Sequence, residues 1–126
     1  MTEPTPPTDP EDVKIITLAR AARARTAADQ GACVRDLDGR TYSATSVALP
    51  HLQLSAVAVA LAMAVSSGAE GLEAVAVSSD RPPEPADREL IGDLPGSAVK
   101  LWHVDAAGSV VSLTVLSGSA QSGSGP

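Results

Sequence analysis

Few side chains in this 126-residue sequence combine reactivity with a telling position. Cys33 is the only thiol, and His51 and His103 are the only imidazoles. Ser55 stands at the head of a long apolar stretch, and Glu84 and Asp87 lie in the proline-rich segment Asp-Arg-Pro-Pro-Glu-Pro-Ala-Asp, 80–87. Brought together, Ser55, Glu84 and Asp87 would form an oxygen-ligand site. Two carboxylates and a neutral hydroxyl suit a weakly held Mg²⁺ or Mn²⁺ with its waters, not a tetrahedral zinc. Without a metal, the same segment is an acidic loop and a helix start with Asp87 as its cap. Nucleophilic catalysis would fall to Cys33, or to Ser55 with a histidine. Cys33 lies inside an expected strand, where a buried thiol is inert, and no serine-centred elbow motif is present. His103, beside Trp102 on an expected strand, reads as a surface or interface pair.

The element that must position these residues is Leu52 to Gly68, Leu-Gln-Leu-Ser-Ala-Val-Ala-Val-Ala-Leu-Ala-Met-Ala-Val-Ser-Ser-Gly. Alanine, leucine and methionine favour helix, and a helix apolar on every face must be covered all round. Its unbroken apolar run, Ala56 to Val65, is well short of the roughly 20 residues that span a bilayer. A first helix should begin at Pro10, capped by Thr8 or Asp9, with Glu11 and Asp12 at the positive end of its dipole, and should end before Gly31. From Ala32, the turn signal Asp38-Gly39 predicts a two-stranded antiparallel ribbon. Leu72 to Ser78 reads as an interior strand, Ala86 to about Ile91 as a short helix, and Ala98–Val104 with Ser109–Leu116 as a closing hairpin. One five-stranded sheet with helices against its faces, an α/β fold, would bury the central helix. Residues 1–9 have the composition of a disordered arm, 10–116 of one domain, and 117–126 of a disordered tail.

The hydrophobic share of 44% comes mostly from alanine and valine, and the aromatics are only Tyr42 and Trp102, so the core must be built from small side chains with closely packed backbones. A net charge of -6 argues against nucleic acid or an anionic membrane as partner. The one basic cluster, Arg20, Arg23 and Arg25, reads as a solvated helix face. A single cysteine excludes an internal disulfide and any cysteine-based zinc knuckle. Met1 to Pro10 lacks the apolar core of a signal peptide, and a cytoplasmic protein is expected.

Several phrases, in order, carry a resemblance: Leu18-Ala-Arg-Ala-Ala-Arg-Ala, Gly31-Ala-Cys-Val-Arg-Asp, Asp38-Gly-Arg-Thr-Tyr, Ala64-Val-Ser-Ser-Gly, and Leu72 to Asp80. Over about residues 13–116 the chain resembles the small, homotetrameric-type cytidine deaminases. The resemblance implies a three-layer fold with a mixed five-stranded sheet, and a homo-oligomer formed through the central helix. In that family the central helix starts with Cys-Ala-Glu or His-Ala-Glu, and the next helix with Pro-Cys-x-x-Cys. Three thiolate or imidazole ligands hold Zn²⁺, and the glutamate shuttles a proton between the zinc-bound water and the base.

Counted back from Gly68, the tripeptide here is Ser55-Ala56-Val57. Pro83-Glu84-Pro85-Ala86-Asp87 keeps the proline and the spacing, with Glu84 and Asp87 in the cysteine places. The family's nucleoside-binding Asn-x-Glu is replaced by Ser46-Val47-Ala48-Leu49. A shifted register, with His51-Leu52-Gln53 for His-Ala-Glu, rescues one ligand. Glutamine cannot carry a proton at neutral pH, however, and the helix would slide by about one turn. The resemblance therefore implies a member that has lost its zinc ligands and catalytic glutamate at Ser55, Val57, Glu84 and Asp87, with no metal or other cofactor. Such a chain would act as a non-catalytic homo-oligomeric interaction or scaffold protein. The alternatives are a divergent deaminase of a pyrimidine nucleoside, a hydrolase using Glu84 and Asp87 on another metal, and a nucleoside-binding module.

Overall fold

The first helix begins where its capping chemistry places it. In the computed structural model, which describes residues 5–96 and 98–117, α1 (Pro10–Thr26) follows Asp9, whose Oδ1 accepts the Glu11 N–H at 2.9 Å. It ends at Ala27, in the left-handed region at φ 53°. The expected arm overlaps the described chain only from residue 5, and the expected tail only at Ser117; residues 1–4 and 118–126 lie outside the described residues.

β1 (Gln30–Asp36) and β2 (Thr41–Thr45) form the antiparallel ribbon expected from Asp38-Gly39. Asp36 closes it. Its Oδ1 accepts the N–H groups of Asp38 and Arg40 at 2.9 Å each, and its Oδ2 accepts the Tyr42 hydroxyl at 3.0 Å. β3 (Val47–Leu49) and β4 (Leu52–Leu54) make a small separate hairpin. Then come α2 (Ala56–Ser66), β5 (Leu72–Ser79), α3 (Pro85–Gly92), β6 (Val99–Val104) and β7 (Val110–Leu116).

The five-stranded sheet has the order β2-β1-β5-β6-β7. Only β5 and β6 run parallel, joined by the crossover that contains α3. The alternation of strand side chains divides the core in two. Val34, Val75, Val77 and Leu101 pack with Ala60, Leu61 and Ala64 of α2 and Ile91 of α3. Cys33, Ala74, Ala76 and Trp102 pack with Ile15, Ile16 and Ala19 of α1. The result is the α/β, three-layer arrangement with a mixed five-stranded sheet that the sequence predicts. The expected close packing is literal at Gly31, where a Cβ would lie 2.1 Å from the Ala19 carbonyl oxygen.

Two expectations about the central helix are corrected. It starts at Ala56, not Leu52, because residues 52–54 pair with 47–49 across the Pro50-His51 turn. Ser55 is left extended (φ -69°, ψ 160°) as the cap. Nor does a single chain cover the helix all round. Ala56, Val57, Ala60, Leu61 and Ala64 are buried, but Met63 is 40% and Val65 49% exposed. Among the described residues no helix is long and apolar enough to cross a membrane.

Candidate functional site

The amino ends of α2 and α3 meet on one face of the sheet, beside the carboxyl end of β5. Between them and the β3–β4 hairpin lies a cleft of about 550 Å³, lined among others by Gln30, Ser46, Gln53, Ser55, Arg81 and Glu84. A shallower hollow of about 360 Å³ shares Ser55 and Glu84 and adds Asp87. Ser55, Glu84 and Asp87, singled out from the sequence, are thus brought to one place.

Their roles differ from one another. Ser55 caps α2: its Oγ accepts the Ala58 N–H at 3.1 Å and donates to Asp87 Oδ1 at 2.6 Å. Asp87 is only 4% exposed. It is not the cap of α3, as expected, because that position is taken by Glu84, which is extended and exposed and makes no cap bond with its side chain. The helix starts earlier because Pro85 fits its first position. Val57, the second residue of α2, is 1% exposed and belongs to the apolar cluster around Val75 and Val77.

The other candidates are not assembled there. His51 sits exposed in the β3–β4 turn, so the register with His51-Leu52-Gln53 at a helix start is overturned; Gln53 is on β4 and lines the cleft. Cys33 is buried under α1, and burial pushes its thiol up to about 11. The expectation of a surface or interface pair at Trp102 and His103 fails, because β6 is covered on both faces within the chain itself. Trp102 packs beneath α1, while His103 points to the other face. His103 Nε2 lies 2.9 Å from the Ser79 carbonyl oxygen, which can only accept, so Nε2 carries the proton.

The arginines also depart from a solvated face. Arg20 Nε donates to the Ala106 carbonyl at 3.4 Å. Arg23, half-buried at the cleft, donates to Ala28 O at 3.4 Å and to exposed Asp80 at 2.9 Å. Arg25 is exposed as expected. Sequence reasoning missed Gln30, whose Oε1 accepts the Ala56 N–H at 3.1 Å. A glutamine opening a strand carries no local mark of that bond. Among the described residues, no group of three or more histidine, cysteine, aspartate or glutamate side chains is placed to hold a metal ion.

A sheet of order 2-1-5-6-7, with one helix beneath it and the amino ends of two helices converging above, defines a three-layer α/β protein with its cleft at those helix ends. A sequence pattern described as Cytidine deaminase-like matches residues 8–108, and the chain belongs to that family. No curated protein matches the sequence significantly. Among solved structures, the cytidine deaminase from Burkholderia pseudomallei superposes with a TM-score of 0.72 at 22% identity, covering 82% of this chain and 91% of that one. That from Mycobacterium tuberculosis gives 0.64 at 23%, covering 74% and 85%. The Mycobacterium leprae enzyme gives 0.64 at 20%, covering 82% and 91%. Likeness at these identities establishes the fold.

Proposed function

We propose that this chain is a non-catalytic member of the cytidine deaminase-like family, a cytoplasmic homo-oligomeric interaction or scaffold protein whose folding unit is residues 10–116. In this reading it holds no metal or cofactor and binds no nucleic acid. The observation that carries the proposal is Val57, 1% exposed and packed in the core. It stands where the resemblance puts the proton-carrying glutamate, and an isopropyl group carries no proton.

The donor set points the same way and does not fit a tetrahedral Zn²⁺. Ser55 offers a neutral hydroxyl whose oxygen already accepts a helix N–H, and Asp87 is engaged by that hydroxyl at 2.6 Å. Zinc of this kind needs thiolate, imidazole or free carboxylate donors.

The test is elemental analysis of the purified protein with cytidine turnover at high protein concentration, beside Glu84→Ala and Asp87→Ala controls. The expected result is neither stoichiometric zinc nor turnover; zinc with turnover that the controls abolish overturns the proposal and leaves a divergent deaminase. One observation favours a second reading, a nucleoside-binding module. The cleft keeps room for a small molecule and is lined by the neutral polar side chains of Gln30, Ser46 and Gln53. A rise in melting temperature with millimolar cytidine or uridine would favour that module, through preferential binding to the native state.

A further inference from the structure

The short helix α3 poses a problem of anchorage. It has eight residues, and an isolated helix of that length is unstable in water. It follows the proline-rich segment 80–84, and its cap residue, Glu84, contributes no side-chain bond. Something beyond its own sequence must fix where it starts. The buried carboxylate of Asp87 in its first turn needs a donor, because an unpaired buried charge is costly. Ser55 supplies it at 2.6 Å, within the short range of charge-assisted hydrogen bonds.

The same oxygen accepts the Ala58 N–H at 3.1 Å, so donation and acceptance at Ser55 run through one atom and polarise one another. Next to it, Gln30 on β1 accepts the Ala56 N–H at 3.1 Å. Three elements far apart in the chain are thereby joined at one point. We infer that the Ser55–Asp87 hydrogen bond is a metal-independent tie between the amino ends of α2 and α3. It takes the mechanical role of a metal ion ligated from both helix ends. The inference rests on the metal-free reading of the site and goes beyond it: two of the three replaced ligand positions, Ser55 and Asp87, are structurally coupled to each other. A cation approaching Asp87 Oδ1 must first displace the Ser55 hydroxyl.

Thermal unfolding of the full chain tests this with Ser55→Ala, Asp87→Ala, the double variant and Ser55→Thr, each with and without excess EDTA. Losing the bond should lower the melting temperature by about 5–10 °C in Asp87→Ala, and by somewhat more in Ser55→Ala, which also loses the cap. The double variant should fall only about as far as Ser55→Ala alone, because the two side chains act as one. Ser55→Thr keeps the hydroxyl and should stay near the parent. EDTA should move none of them. Additive shifts, or an Asp87→Ala protein as stable as the parent, overturn the tie and leave the non-catalytic reading standing. A fall in the parent's melting temperature with EDTA overturns the metal-free reading itself.

Discussion

Cys33 and Asp87 show how burial sets what a reactive side chain does. Burial pushes the Cys33 thiol up to about 11, against smaller opposing effects of a backbone hydrogen bond and nearby cations. At pH 8 the folded protein should therefore react with a disulfide reagent at least ~10²-fold more slowly than the urea-unfolded chain, since only the thiolate attacks. Equal rates would mean that the thiol is open to solvent and that its inert role is wrong. Asp87 is as well buried but has a hydroxyl to receive, and that difference was only half legible. The resemblance to the deaminase family implies that Ser55, Glu84 and Asp87 share one neighbourhood. That Ser55 donates to Asp87 and not to Glu84 depends on which way α3's first turn faces. The two residues are 32 apart, too far for any local pattern to register.

At the scale of elements, α1 is bound to the sheet by more than its apolar side. Asp12, buried on α1, meets the Arg35 guanidinium at 3.0 Å and the Lys100 ammonium, and Arg35 also bonds Glu73 at 2.8 Å. One carboxylate thus joins α1 to β1 and β6. Burial alone would raise the Asp12 carboxyl; the hydrogen bonds and charges of Lys100 and Arg35 outweigh it and hold the group below its ordinary value of 3.8. A carboxyl lowered on folding contributes stability that is complete above its unfolded value and lost as pH falls through the folded one. Asp12→Asn should therefore cost about 3 kcal/mol near neutral pH, the low end for a broken buried pair because Arg35 keeps Glu73. The gap to the parent should begin to narrow below about pH 4 and close only once the carboxyl is protonated in the folded protein as well. Denaturant midpoints at pH 7 and pH 3 check it, and a gap of equal size at both pH values would show that charge is not its cause.

In the sequence Asp12 is legible only as a dipole charge in a first turn, because its partners are strand residues far along the chain. The start of α2 is hard to place from the sequence for a related reason. Leu52-Gln53-Leu54 has helix-forming composition and continues into an apolar run, while strands of three residues are too short to establish an alternation. The stronger signals were Pro50, a turn residue, and Ser55, a good cap.

The whole molecule carries a net charge of -6, yet apart from Val13 and Leu37 its large exposed apolar side chains are not scattered among those charges. They are grouped by element: Met63 and Val65 on α2, Leu49, Leu52 and Leu54 on the β3–β4 hairpin, and Val111, Leu113 and Val115 on β7. No residue of α2 is charged, so Ala62 and Met63 stand open on a helix with nothing to repel a second copy. Single exposed apolar residues are ordinary, but an uncharged apolar helix face is a mark of association. Light scattering coupled to gel filtration should show an oligomer that Ala62→Glu with Met63→Glu reduces toward the monomer mass. Helix content by circular dichroism should be kept, because the substituted positions point away from the core. Leu113→Lys on β7 supplies the contrast: it removes an equally exposed apolar group from a free sheet edge, where pairing between strands would be the route to association. If α2 forms the interface, Leu113→Lys leaves the oligomer mass unchanged. The opposite pattern, with loss of the oligomer on Leu113→Lys alone, would move the interface to the sheet edge and leave the central helix merely exposed.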